Sequence, residues 1–366
     1  MSLLFFEKIV GYICKKLQME IKEEYFGTTK NGDKVSKYIF ENNLKTKIEV
    51  LDYGCIIKSI DTPDKLGQSG DIVLGYDSLA EYENDIHYMG AVVGRVANRI
   101  GRAQYIDGPF MVKLDKNFGK HHLHGGSKGL NKVVWKAKTF RKNNSIGIEF
   151  SYRSPDGENG YPGNVDFKTR YILNNKNQLM IYFNAETDKR TPINLTSHTY
   201  YNLSGGKAPD VLDHIVMVNA LKYLDTDADL IPNGKLNYII GSPVNFSRGK
   251  KIGADIDKME NGYDHTFVIN KELGRFLVTS RVIDADSGRI LDIVTDQPTV
   301  QLYTANDFDG SQLGKKGVKY GKHAGFCMET QAFPDAPNHS NFPSIFLNPG
   351  EKYGSHTQIS FQIKQD

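Results

Sequence analysis

From about residue 35 onward the apolar residues of this chain recur at every second position, in one run after another. Lys47-Ile48-Glu49-Val50-Leu51, Ile146-Gly147-Ile148-Glu149-Phe150 and Leu179-Met180-Ile181-Tyr182-Phe183 carry the pattern, and it returns at 165–173, 276–283, 290–294, 300–303 and 358–363. Residues two apart fall on one face of an extended strand, so each run buries one face and shows the other. The intervals are rich in Gly, Asn, Asp and Pro, as at 154–163 and Ile231-Pro232-Asn233-Gly234, where those residues supply turn geometry. Helical periodicity is scarce, with 77–85 the best short candidate. The chain is predicted to be all-β. So many strands in one open sheet would expose too much apolar face, so two large packed sheets are expected.

No low-complexity linker divides the chain and no fixed-period repeat marks a propeller or solenoid, so one large domain is expected over 21–366. Residues 1–20 read as an N-terminal extension. Its first fourteen residues are apolar, but Glu7-Lys8 interrupts them, no basic stretch precedes them, and the run is too short to span a bilayer. A helix packed on the body is the expectation there, with no membrane partner. The 46 Lys+Arg nearly balance 43 Asp+Glu, and the basic clusters at 248–251 and Lys315-Lys316 are short, which argues against a nucleic-acid partner. Cys14, Cys55 and Cys327 are odd in number and far apart, so neither a disulfide framework nor a CxxC zinc pattern is available. A reducing, cytoplasmic location fits. The five Asn-x-Ser/Thr sequons, at Asn143, Asn194, Asn202, Asn245 and Asn338, then read as chance matches.

Several segments carry residues suited to chemistry. Glu329 lies in Gly325-Phe326-Cys327-Met328-Glu329-Thr330-Gln331, before a proline-rich turn, and reads as an acid at a strand end. In His121-His122-Leu123-His124-Gly125-Gly126 two uses are open: metal ligation, or a His124 that donates hydrogen bonds where the glycines allow close approach. The segment 191–206 places His198 and Tyr200 in a run unusually polar for a strand. Gly94-Arg95-Val96-Ala97-Asn98-Arg99-Ile100-Gly101 holds two arginines four apart, either surface cations or, for Arg99, a donor held in a cleft. Asp264 in Gly262-Tyr263-Asp264-His265 is a turn cap or a loop residue reaching a site.

Together with Val134-Trp135 and 297–306, these segments resemble the aldose 1-epimerases, or galactose mutarotases, in order and spacing from about residue 35 to the end. The resemblance implies a β-supersandwich with few short helices and a sugar site on an open concave face. It also implies interconversion of the α and β anomers of galactose or glucose, in hexose metabolism. By the same resemblance Glu329 is the general base and His198 the general acid. Asn98, Arg99, His124, Asp264 and Gln301 bind sugar hydroxyls, Gln301 aligning better than Gln297, and Tyr200 lines the site. Mutarotation moves only protons, so no cofactor and no metal are expected. The partner is a monosaccharide, and the chain is expected to be a monomer or weak homodimer. Unperturbed values near 4.3 for Glu and 6.5 for His would leave Glu329 ionised, with Arg99 keeping it so if close. Two alternatives share the scaffold. A hexose-6-phosphate 1-epimerase would need extra cations such as Arg95 or Arg102, and a non-catalytic sugar-binding module would need neither Glu329 nor His198.

Overall fold

The computed structural model describes residues 19–270 and 277–364. The alternating runs become strands of a nine-stranded antiparallel sheet. Its order is Lys136–Lys142, Ser145–Ser154, Val165–Asn174, Gln178–Thr187, Tyr353–Ile363, Arg289–Thr295, Val278–Ile283, Ile215–Val218 and Lys250–Lys251. Turn chemistry sets the hairpins: between Val165–Asn174 and Gln178–Thr187 the Asn174 side chain accepts from the Lys176 amide at 2.8 Å, and Asn177 takes φ 54, a left-handed conformation that Asn tolerates.

A six-stranded antiparallel sheet runs Tyr200–Tyr201, Phe326–Gln331, Thr299–Tyr303, Asp264–Ile269, Ala220–Thr226 and Pro232–Tyr238. Its inward residues Phe267, Val300, Leu302, Phe326 and Met328 share one core with Ile146, Ile148, Phe150, Leu179, Ile181 and Phe183 of the larger sheet. Each such side chain contributes roughly 1.5–3 kcal/mol on burial. The expected two packed sheets are thus present, and a five-stranded antiparallel sheet, from Glu20–Thr28 to Ser69–Asp71, joins the same core through Phe40, Ile48, Val50, Ile57 and Ile60.

The helix expected at 77–85 forms at Leu79–Asn84, where Ser78 and Glu81 make a reciprocal capping box. The first described strand, Glu20–Thr28, lies ahead of the expected β onset near residue 35. It is an edge strand with most residues exposed, so no apolar alternation announces it. The apolar start of the chain, with Cys14, and the beginning of the 276–283 run lie outside the described residues. Among the described residues no helix is long and apolar enough to cross a membrane. Of the sequons, Asn194 and Asn202 are buried. The Asn194 Oδ1 accepts from Ala332 N at 2.9 Å and the Asn202 amide donates to Ala324 O at 3.0 Å, so neither is open to a glycan.

Candidate active site

In the six-stranded sheet the face turned away from the core is polar. Register places Glu329 opposite Gln301, and Gln301 opposite Thr266, in one row across three strands. The neighbouring row holds Cys327, Tyr303 and Asp264, with Tyr200 at its end. Because side chains alternate along a strand, residues two apart share this face and the intervening ones fill the core. Glu329 therefore sits mid-strand and buried, not at the strand end expected from its flanking turn, and all six residues of Phe326–Gln331 are buried.

Within the rows one residue orients the next. Thr266 Oγ1 donates to Gln301 Oε1, and the Gln301 amide donates to Asp264 Oδ1. The other Asp264 oxygen accepts from Arg99 Nη2 at 3.0 Å. Asp264 is thereby held by two partners, as the first residue of Asp264–Ile269 and not as a turn cap.

Loops cover this face. Asn98, with φ 63, holds His124 twice: its carbonyl accepts the His124 amide at 3.0 Å, and its amide donates to His124 Nδ1 at 3.1 Å. The Asn98 side-chain oxygen accepts from the Arg99 amide at 2.8 Å. Gly125 has φ 89, and a Cβ there would lie 1.7 Å from the Gly94 carbonyl oxygen, so the close approach expected beside His124 is backbone on backbone. His198 is fixed through its main chain, donating to Ala91 O at 2.8 Å and accepting from Gly90 N at 3.0 Å.

The result is a convergence. Atoms of His124, His198 and Glu329 lie within 4.8 Å of one another, and His198 Nε2 is 3.7 Å from Glu329 Oε1. Glu329 Oε2 and Arg99 Nε are buried with no hydrogen-bond partner among the described residues. Burial, reinforced by the charge of Asp264, pushes Glu329 up to about 8. The opposing pull of Arg99 is the smaller effect, because its guanidinium is ion-paired with Asp264. The expectation that Arg99 keeps Glu329 ionised is corrected on that ground. Burial also pushes His198 down to about 4 and His124 well below the ordinary imidazole value. A carboxyl and two imidazoles, each shifted by burial toward its neutral form, thus converge on one face of the sheet.

A family model described as Aldose 1-epimerase matches residues 36–360. The chain belongs to the aldose 1-epimerase family. It is 40% identical over 333 residues to galactose mutarotase of Bos taurus, covering 90% of this chain and 94% of that protein. To aldose 1-epimerase of Escherichia coli (strain K12) it is 32% identical over 327 residues, covering 87% and 93%. The crystal structure of galactose 1-epimerase from Lactobacillus acidophilus NCFM matches the fold with TM-score 0.84 at 26% identity, covering 95% of this chain and 100% of that chain.

As an aldose 1-epimerase, an isomerase, the chain brings all eight expected site residues to one face, with qualifications. Tyr200 is buried, its ring 5.0 Å from that of His198, and its hydroxyl donates to His87 O at 3.0 Å, so it backs the imidazole. Arg95 is directed elsewhere: its guanidinium donates to Ser154 Oγ and to the carbonyls of Ser154, Pro155 and Pro162 at 2.7–3.2 Å. It is not available to a phosphate. His121 and His122 also leave the site. His122 bonds Asp115 O and the Tyr161 hydroxyl, both at 2.7 Å, and His121 accepts from Arg102 N at 3.0 Å and faces Asp229.

The trio of His124, His198 and Glu329 has the proximity of a metal site, yet its donor chemistry does not fit one. The Asn98 amide can only donate, so His124 Nδ1 is an acceptor and the ring proton sits on Nε2. That leaves two donors where a closed or catalytic zinc site uses three or four protein ligands.

The sequence reading missed Tyr88, Phe118, Tyr303 and Cys327. Tyr88, at φ 57, packs its ring 4.6 Å from His124 and 5.9 Å from His198. Its loop is over-determined by Asp85, which accepts from the amides of His87 and Met89 at 3.1 and 2.7 Å, and such strain concentrates at functional sites. Phe118 lies under the Arg99 guanidinium at 5.2 Å. Tyr303 and Cys327 sit two residues from Gln301 and Glu329, so the period of two could have found them.

Proposed function

We propose that this chain interconverts the α and β anomers of galactose, and of glucose, with Glu329 as general base and His198 as general acid. The observation that carries it is the convergence of His124, His198 and Glu329 beside two buried polar atoms, Glu329 Oε2 and Arg99 Nε, that have no hydrogen-bond partner among the described residues. A polyhydroxylated ring supplies both kinds of complement. Glu329 takes the anomeric hydroxyl proton while His198 Nε2 gives one to the ring oxygen, and the C1–O5 bond opens. The aldehyde turns about C1–C2 and closes on its other face, with the two roles exchanged. Between about pH 4 and 8 the pair holds one proton. Burial favours it on Glu329; the working arrangement moves it to His198 as sugar hydroxyls reach the carboxylate.

The Nε2–H of His124, the Arg99 guanidinium, the Asn98 and Gln301 amides and the Asp264 carboxylate bind hydroxyls, and Asp264, Arg99 and His124 discriminate sugars by the hydroxyls at C4 and C2. Cytoplasmic residence, compatible with the buried free thiols Cys55 and Cys327, and a monomeric or weakly dimeric state complete the proposal.

Polarimetry on α-D-galactose and α-D-glucose tests it. Glu329→Ala and His198→Asn are each expected to lower kcat by about 10³-fold or more. Equal rates in parent and both variants would sink the acid/base assignment. Sugar binding without any acceleration by the parent would favour a binding module, and a preference for glucose 6-phosphate the phosphate-sugar reading.

A further inference from the structure

His198 is approached at both ring nitrogens. Nε2 faces Glu329, and Nδ1 lies 3.5 Å from Sγ of Cys327. Cys327 is fully buried, two residues before Glu329 on the same face of the same strand. On the flanking strands it pairs with Tyr200 and Tyr303, whose rings stand 5.0 and 6.3 Å from that of His198. The proton-transfer scheme does not itself call for a thiol there.

The chemistry of the two nitrogens differs in what each must do. Nε2 has to exist both with and without its proton, so the other proton must stay on Nδ1 throughout, and Nδ1–H needs an acceptor. Catalytic imidazoles commonly give that proton to a carboxylate or a carbonyl oxygen, which orients the ring and also stabilises the imidazolium. Sulfur orients the ring too, but accepts only weakly. Burial holds the Cys327 thiol well above its ordinary value, so it carries no charge that would stabilise the imidazolium. The carbonyl of His198 itself, which receives the Gly90 amide at 3.0 Å, keeps a second lone pair and is the other acceptor within reach of the ring, pulling its value upward against burial.

We propose that Cys327 is a positioning residue: its sulfur accepts the Nδ1–H of His198, keeps Nε2 directed at Glu329 and the ring oxygen, and leaves the imidazolium a strong acid. This rests on His198 carrying a proton in the reaction. The titratable and charged groups facing His198 are Glu329 and His124 at the site, Asp264 and His87 at longer range, and the rings of Tyr88, Tyr200 and Tyr303. Among the described residues, Cys327 is the side chain that offers Nδ1 a hydrogen bond.

The test combines kinetics with a direct reading of the ring. Cys327→Ala is expected to lower kcat for α-D-galactose about tenfold with KM changed less than twofold, the size of a lost outer partner. Cys327→Ser, which restores an acceptor, should stay within about threefold of the parent. In ¹⁵N NMR of the parent at neutral pH, the His198 proton should reside on Nδ1. That spectrum decides the matter even if the alanine variant fails to fold. A proton on Nε2, full kcat in Cys327→Ala, or a serine variant as slow as the alanine one would overturn the assignment. If His198→Asn keeps the parent rate, the underlying acid/base reading falls instead; if it is inactive while Cys327→Ala is not, the positioning role falls alone.

Discussion

The nine-stranded and six-stranded sheets are built on the same alternation, and they diverge in what lies over the second face. Along Val165–Asn174 buried residues alternate with exposed or half-buried ones, whereas along Phe326–Gln331 every residue is buried. Two ion pairs make the contrast concrete. Arg153 and Asp166, on neighbouring strands of the larger sheet, meet at 3.1 Å with side chains 62% and 60% exposed. Arg99 and Asp264 meet at 3.0 Å with 11% and 16% exposed. At equal length the first is screened by water and contributes about 0–1 kcal/mol. The second sits where the effective dielectric is low, so its desolvation is costly and its fixed geometry is what remains useful. Loops bearing Tyr88, His124 and His198 close over one polar face and turn it into a place where charge is expensive, so that Glu329 is pushed up and His198 and His124 are pushed down.

The sharpest way to break this comparison is to cut both pairs at the carboxylate. Asp264→Ala leaves a buried guanidinium and the Gln301 amide without their partner and is expected to lower kcat/KM for galactose about 10²- to 10³-fold, roughly 3–4 kcal/mol. Asp166→Ala should leave kcat/KM unaltered and shift stability by no more than about 0.5 kcal/mol. Steady-state polarimetry and denaturant unfolding on the two variants read both quantities. Similar losses in the two would mean that burial does not separate the sheets as argued.

A second test uses pH. With His198 held down to about 4 and Glu329 up to about 8, the pair carries two protons below the first value and none above the second. Only the one-proton form can both take and give. The kcat/KM profile for galactose should therefore be bell-shaped, falling about tenfold per unit outside those limits. A flat profile from pH 6 to 9 would remove Glu329 as the group that sets the alkaline limb.

What was legible in the sequence follows the same division. The strands of the larger sheet announce themselves because water on one side forces polar residues into alternate positions. The edge strand Glu20–Thr28, mostly exposed on both faces, has no such pattern. At the site, the resemblance to the aldose 1-epimerases, and not spacing by itself, singled out Glu329, His198, Arg99 and Asp264, and local pattern could not separate Arg99 from Arg95. Both are buried four residues apart, and only the tertiary fold brings one to Asp264 and the other to the carbonyls of 154–162. Nor could sequence reveal that Glu329 is more buried than charged. Its protonation depends on burial and on the charges of Asp264 and Arg99, which the fold brings to it from distant parts of the chain.

That protonation has a thermodynamic signature smaller than the kinetic ones. In the unfolded chain Glu329 titrates near the ordinary value of 4.5, and in the folded protein near 8. Between those values the folded state binds one more proton than the unfolded state, so the contribution of Glu329 to stability declines as pH rises. His198 behaves oppositely: its folded value lies below its unfolded one, so its contribution is lost as pH falls through about 6.5 toward 4. Glu329→Gln removes the first dependence and retains the second. The stability of the Gln variant relative to the parent should therefore grow with pH, by at least about 2 kcal/mol between pH 5 and pH 8. Urea unfolding at the two pH values measures the difference. A constant offset would mean that Glu329 is ionised in the empty site, and that the covered face of the smaller sheet is wetter than its burial implies.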